Sequence, residues 1–329
     1  MTTSTVPSDA EELSDLLAHW DVGTPVSVEP VTPSGHLVKL AFSSRLPLVL
    51  KDTGLSAERA GWNYHFHARV LAHLDAQGVG VPLPVQARSG EPFVDWRDRR
   101  FTLSRFQEDG RRPSGPDERR LLYRDVGASI ARLHEALATY PRQELERETR
   151  PEDITRRAPN WTEDLLAKVP SEQRRALVAA TEDLVPRVHE ALAGLQHQLI
   201  HRDLHPGNLL TAATSAVGFI DCDHFCTGPR LLDLAYYALS LRKWAATHGV
   251  EVDHWPDYLR ALIDGYDSVS EVTDHERDTV PYLMVAAEIR LAVWLFDLWP
   301  ETVAREIDVL AWLRRDLHEI AACTRRQPT

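Results

Sequence analysis

The apolar residues of this chain change their period once, and that change leaves few folds open to it. In "VSVEPVTPSGHLVKLAFSSRLPLVLK", residues 26 to 51, aliphatic and β-branched runs are separated by Pro, Ser and Gly, the pattern of consecutive antiparallel strands. "AERAGWNYHFHARVLAHLDAQG" then places Ala60, Tyr64, Ala68, Leu71 and Leu74 at helical spacing, with Gly78 as a stop. "EPFVDWRDRRFTLSRF" reads as a hairpin, its charged turn flanked by Phe93 and Val94 on one side and by Phe101 and Leu103 on the other. After "QEDGRRPSGP" helical periods take over. Leu121, Leu122, Val126, Ile130 and Leu133 form one stripe in "DERRLLYRDVGASIARLHEALATY", and from about Asp253 almost everything is amphipathic helix. Strands first and helices afterwards predict an α+β chain of two lobes, a β-rich one over residues 1–107 and a mostly helical one over 108–329. A cleft between the lobes is the expected ligand site.

Charge narrows the partners. A formal net charge of −12 argues against a nucleic-acid or anionic-membrane binder, which needs a basic face for phosphates, and it is compatible with a cationic small molecule. The longest apolar stretch, "PYLMVAAEIRLAVWLFDLWP", contains Glu288, Arg290 and Asp297, each expensive at bilayer depth, so a buried helix is expected there rather than a membrane span. The leading "MTTSTVPSDAEELSD" is polar and acidic where a secretory leader would be basic and then apolar. Cys222, Cys226 and Cys323 are odd in number, so a reducing cytoplasm is the expected location. The run from Arg142 to Arg157 is dense in both charge signs and reads as solvated loop or exposed helix.

One polar turn stands out. In "LIHRDLHPGNLL", residues 199 to 210, two aliphatic pairs bracket His201, Asp203 and Asn208. Pro206 and Gly207 keep the segment from becoming a helix, so the Asp and Asn side chains can face one cavity. "GFIDCDHF" follows and ends in Asp221 and Asp223. A carboxylate, an amide and a further carboxylate delivered by short strands suit a base beside a hard-cation site, because Mg²⁺ takes oxygen ligands and leaves room for phosphates.

These segments, with "GFIDCDHFCTGPRLLDLAYYAL" and the upstream "IARLHEAL", resemble the aminoglycoside phosphotransferase and choline kinase group of kinase-like enzymes from Val26 to about Leu241. The resemblance implies a two-lobed, protein-kinase-like fold. It implies that Asp203 is the base or orienter of the acceptor hydroxyl, that Asn208 and Asp221 bind Mg²⁺ with Asp223 beside them, that His201 braces the loop through its backbone, and that Asp233 fixes the turn opening the next helix. Ser104, Phe106 and Glu108 would form the hinge that meets the adenine edge.

In the amino-terminal lobe, Lys51 closes "LPLVLK" in a chain whose other lysines are Lys39, Lys168 and Lys243. Either it reaches nucleotide phosphates, or it is a solvated lysine at a strand end. Gly35 in "TPSGHLVKL" would let a turn approach those phosphates, or serves a hairpin. Kinase-like enzymes usually pair the strand lysine with a Glu on the next helix. Here Glu58 lies about two turns early: either it pairs with the lysine through a shifted helix, or His65 or His67 occupies the expected place, or the pair is missing.

Other signals carry less. Cys222, His224 and Cys226 lack a fourth ligand at zinc spacing, and alternation along a strand through "FID" would turn Cys222 away from Asp221 and Asp223. His205 either touches substrate or metal, or caps its own loop. Trp244, Trp255, Trp294, Trp299 and Trp312 are expected in the core. The chain is thus expected to be an ATP- and Mg²⁺-dependent phosphotransferase acting on a small-molecule hydroxyl. Its rivals are a Ser/Thr kinase acting on a peptide or protein, against which Asp221-Cys222-Asp223 replaces Asp-Phe-Gly, and a nucleotide-binding pseudokinase.

Overall fold

Strand alternation builds the first of two compact units, Met1–Asp109 and Gly110–Thr329. The computed structural model describes residues 6–7, 9–32, 35–55, 63–110, 113–143, 145, 163–248 and 252–326. In chain order the first unit holds α1 (Ala10–Leu17), β1 (Ser27–Pro30), β2 (Leu37–Ala41), β3 (Leu48–Leu55), α2 (Tyr64–Ala76), β4 (Val94–Trp96) and β5 (Arg99–Arg105). The strands form one antiparallel sheet in the order β1-β2-β3-β5-β4. Every second residue points into the core: Val38 and Leu40, Leu48 and Leu50, Phe101 and Leu103 pack against Leu13, Leu16, Leu17 and Trp20 of the amino-terminal segment. The same alternation puts Lys39, Lys51, Thr102 and Ser104 on the opposite face of the sheet.

Two details depart from the sequence reading. β3 runs on to Leu55, so Lys51 sits within a strand, across from Leu37 and Thr102, and not at its end. Helix α1 precedes the first strand, and its signals are present in the sequence. Asp9 accepts from the Glu11 and Glu12 N–H groups at 2.9 and 3.0 Å, and Leu13, Leu16, Leu17 and Trp20 follow at helical spacing. The β4–β5 hairpin turns on Arg97 and Asp98, both left-handed (φ 48° and 62°), the two-residue loop whose twist matches that of the strands.

The second unit contains α3 (Pro116–Ala138), α4 (Ser171–Thr181), α5 (Leu184–Leu192), β6 (His197–Ile200), β7 (Leu209–Ala212), β8 (Ser215–Phe219), β9 (Cys226–Pro229), α6 (Leu231–His248), α7 (Trp255–Asp267), α8 (Asp274–Leu298) and α9 (Val303–Thr324). The strands pair as two antiparallel ribbons, β6 with β9 and β7 with β8. On α3 the buried stripe is Leu122, Val126, Ile130, Leu133 and Leu137, whereas Leu121 is 56% exposed, one position off the stripe assigned to it. α3 and α7 touch backbone to backbone: a Cβ on Gly127 would lie 1.9 Å from the Leu262 carbonyl oxygen, and one on Gly265 would lie 1.8 Å from that of Arg124.

The apolar stretch is helix α8, long and apolar enough to cross a membrane by length and composition, yet mostly buried inside the unit. Its Glu288 is fully buried, with Lys243 Nζ at 2.9 Å, and burial pushes that carboxyl up to about 8. Of the five tryptophans expected in the core, Trp255 is buried, while Trp294 and Trp299 are exposed and stack edge to face, with ring centroids 5.5 Å apart. Most of the charged run from Arg142 to Arg157 lies outside the described residues.

Candidate active site

Paired strands do most of the positioning here. β6 ends at Ile200 and β7 begins at Leu209, so the polar turn spans the gap between two ribbons. Across from it, β8 ends at Phe219, paired with Leu209, and the Ile220 N–H donates to the Asn208 carbonyl at 2.9 Å. That bond brings Asn208 beside the residue preceding Asp221. Asn208 Nδ2 donates to the Asp203 carbonyl at 2.9 Å and to Asp203 Oδ2 at 3.3 Å, so Asp203, Asn208 and Asp221 gather at one end of the β7–β8 ribbon. The one-turn helix Pro206–Asn208 holds the bend, capped by His205, whose Nδ1 accepts from the Gly207 N–H at 3.0 Å. Capping therefore is a role of His205, and its Nε2 stands 4.0 Å from Asp203 Oδ2. A Cβ on Gly207 would press to 2.9 Å from that imidazole.

The turn is strained and held. Arg202 (φ 72°) and Asp221 (φ 55°) both occupy the left-handed region without being glycine, which costs on the order of 1–3 kcal/mol each unless the surroundings fix them. For Arg202 the clamps are visible. Asp233, fully buried, accepts from the His201 and Arg202 N–H groups at 2.7 Å each, and Arg290 Nη2 donates to the Arg202 carbonyl at 3.1 Å. Asp233 also accepts from His134 Nε2 at 3.1 Å, and the other nitrogen of that ring meets the Tyr266 hydroxyl at 2.8 Å. The Asp233 carboxylate, at the start of α6, thus ties α3, α6 and the polar turn together. His134 lies in the quoted "IARLHEAL", but nothing in that segment alone discloses its partner 99 residues on. His201 is fully buried, and its Nε2 donates to the Ile220 carbonyl at 3.3 Å.

Burial alone would raise the Asp233 carboxyl, but the His134 hydrogen bond and the donors around it outweigh burial and hold it below the usual aspartate value. Asp233→Asn is expected to remove about 3 kcal/mol of stability, because an amide N–H would face a backbone N–H in a buried site. Urea unfolding checks it. The sign with pH follows from the depressed value: the wild-type contribution is complete above the ordinary aspartate pKa of about 3.9 and is lost as pH falls through the lower folded-state value. The variant should lack that acid-side loss.

The donor set fits a hard divalent cation. With Asn208 Nδ2 committed to Asp203, the amide carbonyl oxygen is the atom left to present, and Asp221, which follows the Ile220 bonded to Asn208, adds a carboxylate to the set. Among the described residues no group of three or more His, Cys, Asp or Glu side chains is arranged to hold a metal ion, so protein would supply only part of such a shell. Burial pushes His205 and His224 below the ordinary histidine value even though Asp203 and Asp221 pull both upward. His224 also lies within electrostatic reach of Asp223. Cys222 is buried between the partly exposed Asp221 and Asp223, as expected, but for another reason: β8 has ended, and the left-handed backbone at Asp221, not strand alternation, sets the directions.

The first unit holds the remaining expected residues. Gly35 is left-handed (φ 68°), and its carbonyl accepts from the Val6 N–H at 3.1 Å; Pro33 and Ser34 of the same turn lie outside the described residues. Ser104 is enclosed in the sheet, with Val49 on one side and Pro84 on the other. The Phe106 N–H is spent on the Pro47 carbonyl at 2.9 Å, which removes it as an adenine donor. Lys39 sits over the Phe106 ring at 4.4 Å and 3.4 Å from Glu108. His65 pairs with Glu91 at 3.2 Å, and Glu58 lies outside the described residues. A groove of about 1010 Å³, lined by Tyr140, Arg142, His197, Thr227, Arg230 and Glu276 among others, contains none of the expected site residues.

Comparison with known proteins follows the same lines. The model of the phosphotransferase enzyme family matches residues 43–277. The homoserine kinase of Gluconobacter oxydans (strain 621H) is 29% identical over 321 residues, 94% of this chain and 95% of that protein. Among solved structures, the amicoumacin kinase hAmiN in complex with AMP-PNP, Ca²⁺ and Ami superposes with a TM-score of 0.71 at 17% identity, covering 95% of this chain and 94% of that one. The microcompartment-associated aminopropanol kinase gives 0.69 at 20%, covering 95% and 99%. At such identities these structures share the fold, which is the kinase-like one expected from the sequence.

Proposed function

Because this chain belongs to the phosphotransferase enzyme family and is a kinase that carries phosphate to a hydroxyl, we propose that it uses ATP and Mg²⁺ to phosphorylate a small amino alcohol of the homoserine type. The observation that carries the reading is the hydrogen-bonded Asp203–Asn208 pair with Asp221 at the same ribbon end. Asp203 takes up or orients the acceptor proton. The acceptor oxygen then bonds to the γ-phosphorus as the bond to the β,γ-bridging oxygen breaks, and ADP departs. Asn208 and Asp221 would hold the divalent ion, whose part when bound is to neutralise phosphate charge. Lys51, on the sheet face away from the core, would meet the nucleotide phosphates. Positioning and charge neutralisation supply nearly all of the rate, so the clamps on Arg202 that hold the turn serve catalysis through Asp203.

Homoserine stands first because a full-length relative carries that activity in its name, while the aminopropanol kinase extends the class to amino alcohols in general. The test is to incubate purified protein with ATP, Mg²⁺ and L-homoserine, amino alcohols, aminoglycosides and peptides, following ADP and the phosphorylated product by ³¹P NMR. A phosphomonoester on an amino alcohol is expected. Phosphate on a peptide alone, or none on any acceptor, would favour the protein-kinase or the pseudokinase reading. Asp221→Ala should abolish the Mg²⁺-dependent tightening of ATP binding in titrations with and without the ion. An unchanged difference would take Asp221 out of the metal site.

A further inference from the structure

His205 has two ring nitrogens, and capping the turn occupies only one of them. Nδ1 accepts from the Gly207 N–H at 3.0 Å, and a backbone amide can only donate, so Nδ1 carries no hydrogen and the ring proton sits on Nε2. That Nε2–H stands 4.0 Å from Asp203 Oδ2, too far for a direct hydrogen bond, and it makes none to any other described residue. The ring is held from two sides. A Cβ on Gly207 would lie 2.9 Å from its Cε1, and the buried Tyr236 meets it edge-on, with centroids 6.3 Å apart and planes at 89°. Asp203 is held as well: its Oδ2 accepts from Asn208 Nδ2 at 3.3 Å, and a carboxylate oxygen has a second lone pair to offer. Both side chains are partly exposed, 35% for His205 and 29% for Asp203, so a ligand atom can reach the pair.

An oxygen about 2.8 Å from both Nε2 and Oδ2 makes an angle of roughly 90° over that 4.0 Å base, about 20° short of tetrahedral and within the bending of about 30° that a good hydrogen bond accepts. Such an oxygen must donate to the carboxylate and accept from the imidazole at once. An ionised phosphate oxygen only accepts and is repelled by Asp203, whereas an alcohol does both. We propose that His205 is a catalytic residue that holds the acceptor hydroxyl jointly with Asp203: the hydroxyl donates to Asp203, accepts from His205 Nε2–H, and keeps its remaining lone pair for the γ-phosphorus. In the transfer the hydroxyl proton passes to Asp203, the new oxygen–phosphorus bond forms as the bond to the departing ADP breaks, and His205 keeps its hydrogen. This rests on the phosphotransferase reading given above and adds to it the second group on the acceptor oxygen.

Two substitutions divide the ring between them. His205→Asn puts a carbonyl oxygen near the place of Nδ1, where it keeps the cap, and deletes the Nε2 donor. His205→Gln puts an N–H near the place of Nε2 and gives up the cap. Steady-state kinetics use L-homoserine or, if another amino alcohol or an aminoglycoside is turned over faster, that acceptor. His205→Asn should lower kcat/KM for the acceptor by about 30-fold, the loss expected when one buried hydrogen-bond partner is removed, with the KM for ATP and the urea midpoint near wild type. His205→Gln should stay within about fivefold of wild type in kcat/KM while its urea midpoint falls. The opposite ranking, with His205→Asn active and His205→Gln impaired, would show that His205 only caps and would overturn the proposal. Equal losses in both variants with equally lowered midpoints would also overturn it, since the ring would then serve by packing against Tyr236 and Gly207. In either case wild-type turnover leaves the phosphotransferase reading standing. If wild type phosphorylates no hydroxyl acceptor at all, that reading fails and the role of His205 falls with it.

Discussion

Asp203→Asn is expected to lower phosphoryl transfer by about 1000-fold or more while AMP-PNP affinity and the unfolding midpoint stay near wild type. An asparagine side chain has nearly the volume of an aspartate, and its carbonyl oxygen can still accept from Asn208 Nδ2, so the ribbon end keeps its shape. What disappears is the proton-accepting charge beside the acceptor oxygen. Single-turnover formation of the phosphomonoester separates this from a binding defect, since a transition-state role lowers kcat and kcat/KM together. Transfer within tenfold of wild type would mean that Asp203 is a structural partner of Asn208 and that the base lies elsewhere.

Gly265→Ala is expected to destabilise the second unit by roughly 3 kcal/mol, against a helix-propensity gain of about 1 kcal/mol that would by itself stabilise it. Packing wins because the added methyl would lie 1.8 Å from the Arg124 carbonyl oxygen and 2.7 Å from its carbon, atoms of backbone that no rotamer change can move. α3 and α7 have to separate, and Gly127, whose own Cβ would strike Leu262, marks the same crossing from the other side. The crossing also sets the reach of Tyr266, next to Gly265, toward His134 on α3, and through His134 toward Asp233. Activity should therefore fall along with the urea midpoint. A variant as stable as wild type would show that the helices part without loss and that the close approach is incidental.

The elements that could be read from sequence were those whose information is local. Period two in residues 26 to 51 and period 3.6 beyond Pro116 gave strands and helices in the right order, because each buries one face of its own residues. The same reasoning erred where a neighbour decides. Leu121 fits the stripe of α3 by spacing but lies at its edge, and Trp294 and Trp299 look like core residues yet are exposed, since what covers a helix face is another segment. Which hinge groups are free to meet a ligand is hidden for a related reason: the Phe106 N–H is bonded to the Pro47 carbonyl, 59 residues earlier in the chain.

At the candidate site the local chemistry is written in the residues: an Asp and an Asn five residues apart, a second acidic pair soon after, and Pro and Gly that forbid a helix between them. Spacing along a short turn is a local constraint, and it survives folding nearly unaltered. Tertiary structure alone decided what holds that turn in its strained shape. Asp233, His134, Tyr266 and Arg290 come from four helices, and a hydrogen bond between residues 99 or 132 positions apart leaves no periodic trace in sequence. Such bonds depend on helix crossings fixed by close contact, as at Gly127 and Gly265, where the packing is decided by which atoms are missing.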